Sequence, residues 1–219
     1  MKHRWILFLL ILSISFTLYR LDLSGFYINV TPLTKEKEGN LNLHNSQKLQ
    51  GQISYKLVRV DNPNKDELAA YKLIKQVMDS ATFYYNSYTT AKKVIIVYYV
   101  ADKSVRADGN FNGNLRFGPD RTFMNVGTAT HEISHTLGVG TTQKWQSFAI
   151  FSAPTGQTTF FGKSATKTLR QISGDANAQL FMDSQYFWPY GLNYVSEYKS
   201  ESDVINHCKI VNAMLKDGL

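Results

Sequence analysis

From position 51 onward the chain alternates short β-forming runs with segments whose apolar residues recur every three or four positions. Ile53-Ser-Tyr-Lys-Leu-Val-Arg-Val60 alternates apolar and polar residues, which predicts a half-buried strand. Asp61-Asn-Pro-Asn64 carries turn and helix-start residues. From Lys65 to about Tyr88, the residues Leu68, Tyr71, Ile74, Met78, Ala81 and Tyr85 form the stripe of a long amphipathic helix. Val94-Ile-Ile-Val-Tyr-Tyr-Val100 is nearly continuous β-forming sequence and predicts a central strand covered on both faces. A turn cluster, Asp108 to Asn114, leads to a brief strand at Leu115 to Phe117, and a helix begins near Thr128 or Thr130.

After Gly140 the pattern turns irregular. Trp145 to Phe151 and Thr158 to Phe161 are apolar, Pro154 and Gly156 interrupt them, and Ser164 to Ile172 predicts a short helix stopped by Gly174. Phe181 to Asn193 reads as an aromatic loop. Ser202 to Lys216 predicts a final helix with Val204, Cys208, Val211 and Leu215 on one face. The expected fold is therefore α+β: a small mixed sheet, a long backing helix, and an irregular C-terminal part ending in a helix. One domain over residues 51–219 is large enough to bury a sizeable core.

The first fifty residues differ in character. Lys2-His3-Arg4 precedes an uncharged, mostly apolar run from Trp5 to Tyr19, which is short for a membrane span and fits a secretory leader. Residues 1–20 are expected to be a signal peptide or an uncleaved N-terminal anchor, and residues 21–50, polar and turn-rich, a linker or arm. The body is then secreted or extracytoplasmic, touching a membrane only through that anchor. Of the formal charge of +7, three positive charges (Lys2, Arg4 and Arg20) sit in the leader, so the remainder is only mildly basic. No basic-aromatic stripe argues for nucleic acid. Cys208 is the single cysteine, which excludes an intrachain disulfide and a Cys-based zinc site.

Chemistry concentrates in Gly127-Thr-Ala-Thr-His-Glu-Ile-Ser-His-Thr-Leu-Gly138. On a helix, His131 and His135 are four apart and share a face, so both imidazoles can address one zinc ion. Glu132 would lie beside the open coordination position as a general base. Gly138 stands where a helix that must reverse sharply would stop.

These residues resemble the metzincin-type zinc metallopeptidases, whose motif is H-E-x-x-H-x-x-G-x-x-H. His131, Glu132, His135 and Gly138 match; Thr141 stands where the third histidine would be. In layout the resemblance covers roughly residues 53 to 140 and implies a zincin-like fold with a metal-binding active-site helix. The leishmanolysin-like group carries an insert before its third ligand, and Phe160-Phe-Gly-Lys-Ser-Ala165 followed by Gln185-Tyr186-Phe187-Trp188 is similar in order and spacing. By that comparison Tyr186 takes the third-ligand position, and Met214 is a candidate methionine-turn residue. Asp183 is an alternative ligand, as are His207 and, in a thermolysin-like arrangement, Glu197 or Glu201. His207 itself is expected to be a partly buried structural residue.

The expected function is that of an exported peptidase using one zinc ion and acting on a protein or peptide substrate. An extended substrate would pair with the strand at 115–117. The alternative is a catalytically impaired zincin-fold protein that binds peptide or glycan through Phe187, Trp188 and Tyr190, whose ordinary role is core packing. Hydrolysis of a non-peptide amide would use the same chemistry.

Overall fold

The computed structural model describes residues 51–219; the expected leader (1–20) and arm (21–50), with His3 and His44, lie outside the described residues. The described chain is α+β, with five α-helices and two small sheets. Strand β1 (Gln52–Leu57) runs into helix α1 (Lys65–Tyr88), then β2 (Lys92–Tyr99), β3 (Ala107–Gly109), β4 (Asn114–Phe117) and helix α2 (Val126–Thr136). The first sheet has the order β1-β2-β4-β3. Its first three strands are parallel, and β3 runs antiparallel at the edge.

Helix α1 begins where Asn64 predicts it. The Asn64 Oδ1 accepts from the Glu67 amide at 2.9 Å while a Glu67 carboxylate oxygen accepts from the Asn64 amide at 2.7 Å, a reciprocal cap. The expected stripe packs inward through Tyr71, Ile74, Met78, Ala81 and Tyr85; Leu68 alone stays exposed, in the first turn. Against it lie Ile95 and Val97 of β2 and Leu115 and Phe117 of β4, all fully buried.

Two expectations for this sheet need correction. β2 is central, but only its Ile95 and Val97 face is sealed; Val94 on the other face is 67 % exposed. Continuous apolar sequence cannot distinguish one covered face from two. The strand at Leu115–Phe117 is not an edge: it lies between β2 and β3, with both its backbone edges paired. The edge is β3, which the turn cluster Asp108 to Asn114 concealed.

The region after Gly140 is more ordered than its sequence suggests. A short helix α3 (Gln143–Gln146) precedes strands β5 (Ala149–Ser152) and β6 (Gln157–Phe160) and helix α4 (Lys163–Ser173). The strand pair β7 (Phe181–Met182) and β8 (Phe187–Trp188) completes an antiparallel sheet of order β5-β6-β7-β8. Strands of two residues leave no periodicity to read. The last helix, α5 (Glu201–Lys216), carries Val204, Cys208, Val211 and Met214 into the core. Met214 is thus inside a helix, so the expected methionine turn does not exist at that residue.

α5 also closes the N-terminus of α4. Gly162 supplies no side-chain cap there; the Asp217 carboxylate instead accepts from the amides of Ser164 and Ala165, both at 2.8 Å. Asp217→Ala should cost about 1 kcal/mol, the usual value of a lost helix cap, read as a lowered urea midpoint at unchanged slope.

Candidate metal centre

α2 starts under an Asn125 cap and ends in a sharp reversal. Gly138, at φ 114°, adopts a backbone that other residues rarely tolerate. Its amide donates to the His135 carbonyl at 3.2 Å, and the Val139 amide donates to the Ser134 carbonyl at 3.2 Å, the two bonds of a Schellman motif. The reversal carries the Val139 carbonyl back beneath the helix, where it accepts from His135 Nδ1 at 2.7 Å. Thr141, at the position of the absent third histidine, turns its hydroxyl to the His135 carbonyl at 2.6 Å. It finishes the helix and is not available as a ligand.

His131 is locked from elsewhere in the chain. Its Nδ1 donates to the carbonyl of Gly191 at 2.7 Å. A carbonyl only accepts, so both imidazoles carry their proton on Nδ1 and both Nε2 atoms present lone pairs. Those two Nε2 atoms are 3.0 Å apart. Burial, chiefly, and the neighbouring His135 push the His131 pKa down to about 3; burial also lowers His135, against the opposing Val139 carbonyl. Neither ring holds a second proton near neutral pH. Two lone pairs therefore converge on one point.

Glu132 follows on the same helix turn and is buried. Burial first, then the Asp108 charge, push its pKa up to about 8, against the opposing Gly109 amide. Its Oε2 has no hydrogen-bond partner within the described residues. The surroundings are a narrow cleft of two adjoining hollows, about 160 and 120 Å³, that share Ala107, His131, Glu132 and Tyr186. Asp108, Gly140, Thr141 and Gln185 line one end; Arg106, Phe123, Leu192 and Val195 line the other. Asp108 is held at the rim by a two-pronged bond from Arg116, at 2.8 and 2.5 Å.

Tyr186 stands over the two histidines, its ring centroid 5.6 Å from that of His131 and 6.2 Å from that of His135. Its hydroxyl makes no hydrogen bond among the described residues. Burial, followed by the Glu132 and Asp183 charges, raises its pKa, so by itself it remains a phenol. The residue sits at the end of the β7–β8 hairpin tip, which is fastened on three sides. Asp183 Oδ1 accepts from the amides of Gln185 and Tyr186 at 2.7 and 2.6 Å. Trp145 Nε1 donates to the Asp183 carbonyl at 3.0 Å, and the Gln146 side-chain amide to Ser184 at 2.8 Å. Gly140, at φ 65°, lies so close that a Cβ there would fall 2.1 Å from the Gln185 carbonyl oxygen.

The other candidate ligands are engaged elsewhere. Asp183 builds the turn just described, Glu197 accepts from the Asn193 amide at 3.1 Å, and Glu201 accepts from the Tyr84 hydroxyl at 2.9 Å. His207 is fully buried rather than partly so. Its Nδ1 donates to the Tyr190 carbonyl at 2.8 Å, and its Nε2 lies 3.3 Å from the Tyr85 hydroxyl, which donates to Thr130 at 3.1 Å. It braces the loop whose next carbonyl, Gly191, orients His131. Among the described residues no three His, Cys, Asp or Glu side chains converge on one point. Phe187 packs in the core as expected, whereas Trp188 is 40 % exposed and stacks on Phe181.

The orienting carbonyls of Val139 and Gly191, the Gly140 contact and the His207 brace are absent from the sequence reading. Only Gly138 signalled any of them. Comparison with protein-family models, with curated proteins and with solved structures found no match.

Burial pushes the His207 pKa down to about 4, whereas an unfolded histidine titrates near 6.5. Between those values the unfolded chain binds the extra proton, so this group's contribution to stability falls as pH drops through that window. His207→Gln should be destabilised by about 2 kcal/mol at pH 7, from a lost buried bond and imperfect packing. In urea unfolding, its deficit relative to the parent should narrow at pH 5.

Proposed function

We propose that the protein is a zincin-type, zinc-dependent peptidase, with His131, His135 and Tyr186 as protein ligands and Glu132 as general base. The observation that carries this reading is the pair of buried Nε2 lone pairs 3.0 Å apart, each fixed by a carbonyl on its own Nδ1. Nitrogen lone pairs at that distance repel unless a cation lies between or before them, and carbonyl-oriented imidazoles are the usual outer shell of a bound metal. Tyr186 is the donor type left to complete the set. A phenol gives up its proton to a metal less readily than an imidazole offers its lone pair, so affinity should be lower than for three histidines.

Zinc would supply a Lewis acid that polarises the scissile carbonyl and acidifies water. The chain's own groups do the rest. Burial alone would keep Glu132 protonated near neutral pH, but a cation at the histidines would favour its carboxylate form, which would take the proton of the attacking water at Oε2 as the water oxygen bonds to the carbonyl carbon. Glu132 then delivers that proton to the leaving nitrogen as the C–N bond breaks. The β3 edge borders both hollows through Ala107, so an extended peptide pairs with β3 rather than with the interior strand β4. The buried carboxylate also weighs against an impaired binding module. A buried acid with one oxygen unsatisfied is costly to keep, and Oε2 of Glu132 gains no structural bond in return.

Metal content of the purified protein tests the reading. One zinc per chain is expected, absent in His135→Ala and bound roughly tenfold or more weakly in Tyr186→Phe, on the scale of other perturbed zinc shells. No zinc after supplementation would defeat it. Glu132→Gln should keep its zinc and lose about a hundredfold or more in kcat on any peptide the parent cleaves. Gly140→Ala should displace the Tyr186 turn and weaken zinc as Tyr186→Phe does, with far-UV circular dichroism unchanged.

A further inference from the structure

A second, larger hollow lies away from the cleft. It is a groove of about 700 Å³ along α4, and it shares no lining residue with the two hollows at the histidines. α4 buries Ala165 and Leu169 and turns Lys163, Lys167 and Arg170 outward along one stripe. All three cations line the groove, and among the described residues none forms an ion pair with a carboxylate. Asp217, at the N-terminal end of the helix, is committed to two backbone amides.

Beside these cations stand large apolar side chains in water. Phe161, on the groove wall, is 65 % exposed, and Ile150 of the edge strand β5, which the pairing register places on the same face of the hairpin, is 48 % exposed. The Phe161 amide bonds to the Phe148 carbonyl, so this wall continues directly into the β5–β6 hairpin. A soluble polyanion would be matched by the cations and leave Phe161 and Ile150 without a role. An anionic bilayer matches both: headgroup phosphates meet Lys and Arg, and aromatic and aliphatic side chains enter the acyl boundary. If the run Trp5 to Tyr19 is kept as the N-terminal anchor, residues 21–50 would hold this surface within about 100 Å of a bilayer.

We propose that the α4 groove and the adjoining face of the β5–β6 hairpin form a docking surface for an anionic lipid bilayer, with Lys163, Lys167 and Arg170 at the headgroups and Phe161 and Ile150 in the interface. This surface does not depend on the chemistry of the cleft.

The test uses full-length protein carrying a polarity-sensitive fluorophore at Thr166→Cys on the groove wall; Cys208 is fully buried and stays unlabelled. Vesicles of phosphatidylcholine, alone or mixed with phosphatidylglycerol, are titrated in. The expected result is a blue shift with the anionic vesicles only, reversed by salt. Replacing Lys163, Lys167 and Arg170 together by Gln should weaken that response about a hundredfold, at the usual contribution of each cation near an anionic surface. Phe161→Ser should weaken it separately. The leader is present in every variant, so the differences report the groove. No shift with anionic vesicles, or an equal shift in the triple variant, would overturn the proposal. A shift with polyglutamate but not with vesicles would overturn it too, and assign the groove to a soluble polyanion.

Discussion

The structure around the cleft depends on two carbonyl oxygens, those of Val139 and Gly191, each accepting the Nδ1 proton of one histidine. One is local: it exists because Gly138 adopts a left-handed backbone and folds the chain back under α2 within four residues. The other comes from 60 positions away and exists only because the loop after β8 is carried to the same place. Together they fix both ring tautomers and turn two lone pairs onto one point. Without the reversal, His135 would be free to rotate. Without the loop, His131 would be equally free, and a shared face on a helix would mean little.

Much of the remaining architecture serves that convergence. α1 backs α2 through the Tyr85 hydroxyl, which reaches Thr130, and Tyr85 also meets His207, which in turn holds the loop at Tyr190. α3 contributes Trp145 and Gln146 to clamp the hairpin tip below Tyr186. The cleft is consequently rigid, polar and narrow, built from three separate parts of the chain. Burying two neutral imidazoles and a carboxyl group with one oxygen unsatisfied in such a place opposes folding; proteins retain such groups where chemistry needs them.

The long segments were legible. α1 and α5 carry enough turns for their periodicity to show, and each begins at a capping residue, so their bounds follow closely from the residues. α2 was legible through its motif and its terminal glycine, although it begins earlier than expected, at Val126, under Asn125. The central part of the first sheet was legible as well. What failed were short pieces: β3, hidden in a turn cluster, and β5 to β8, whose two to four residues carry too little pattern to register. The misplacement of the sheet edge followed from missing β3, since an edge is defined by which neighbour is absent.

His131 and His135 share a face in any helix, with Glu132 beside them, because 3.6 residues per turn fixes that relation locally. The sequence by itself therefore determined the helix, its reversal at Gly138 and the pairing of the two imidazoles. Which third side chain meets them is a matter of long-range packing. Asp183, Tyr186, Glu197, Glu201 and His207 are comparable candidates along the chain. In the folded chain four of them are already bonded: Asp183 to its turn, Glu197 to Asn193, Glu201 to Tyr84 and His207 to Tyr190. The Tyr186 ring stands beside both histidines, and its hydroxyl has no hydrogen-bond partner among the described residues. Hydrogen bonds and ring contacts between residues far apart in sequence leave no periodic trace, so only the tertiary structure could show which candidates are engaged and which is not.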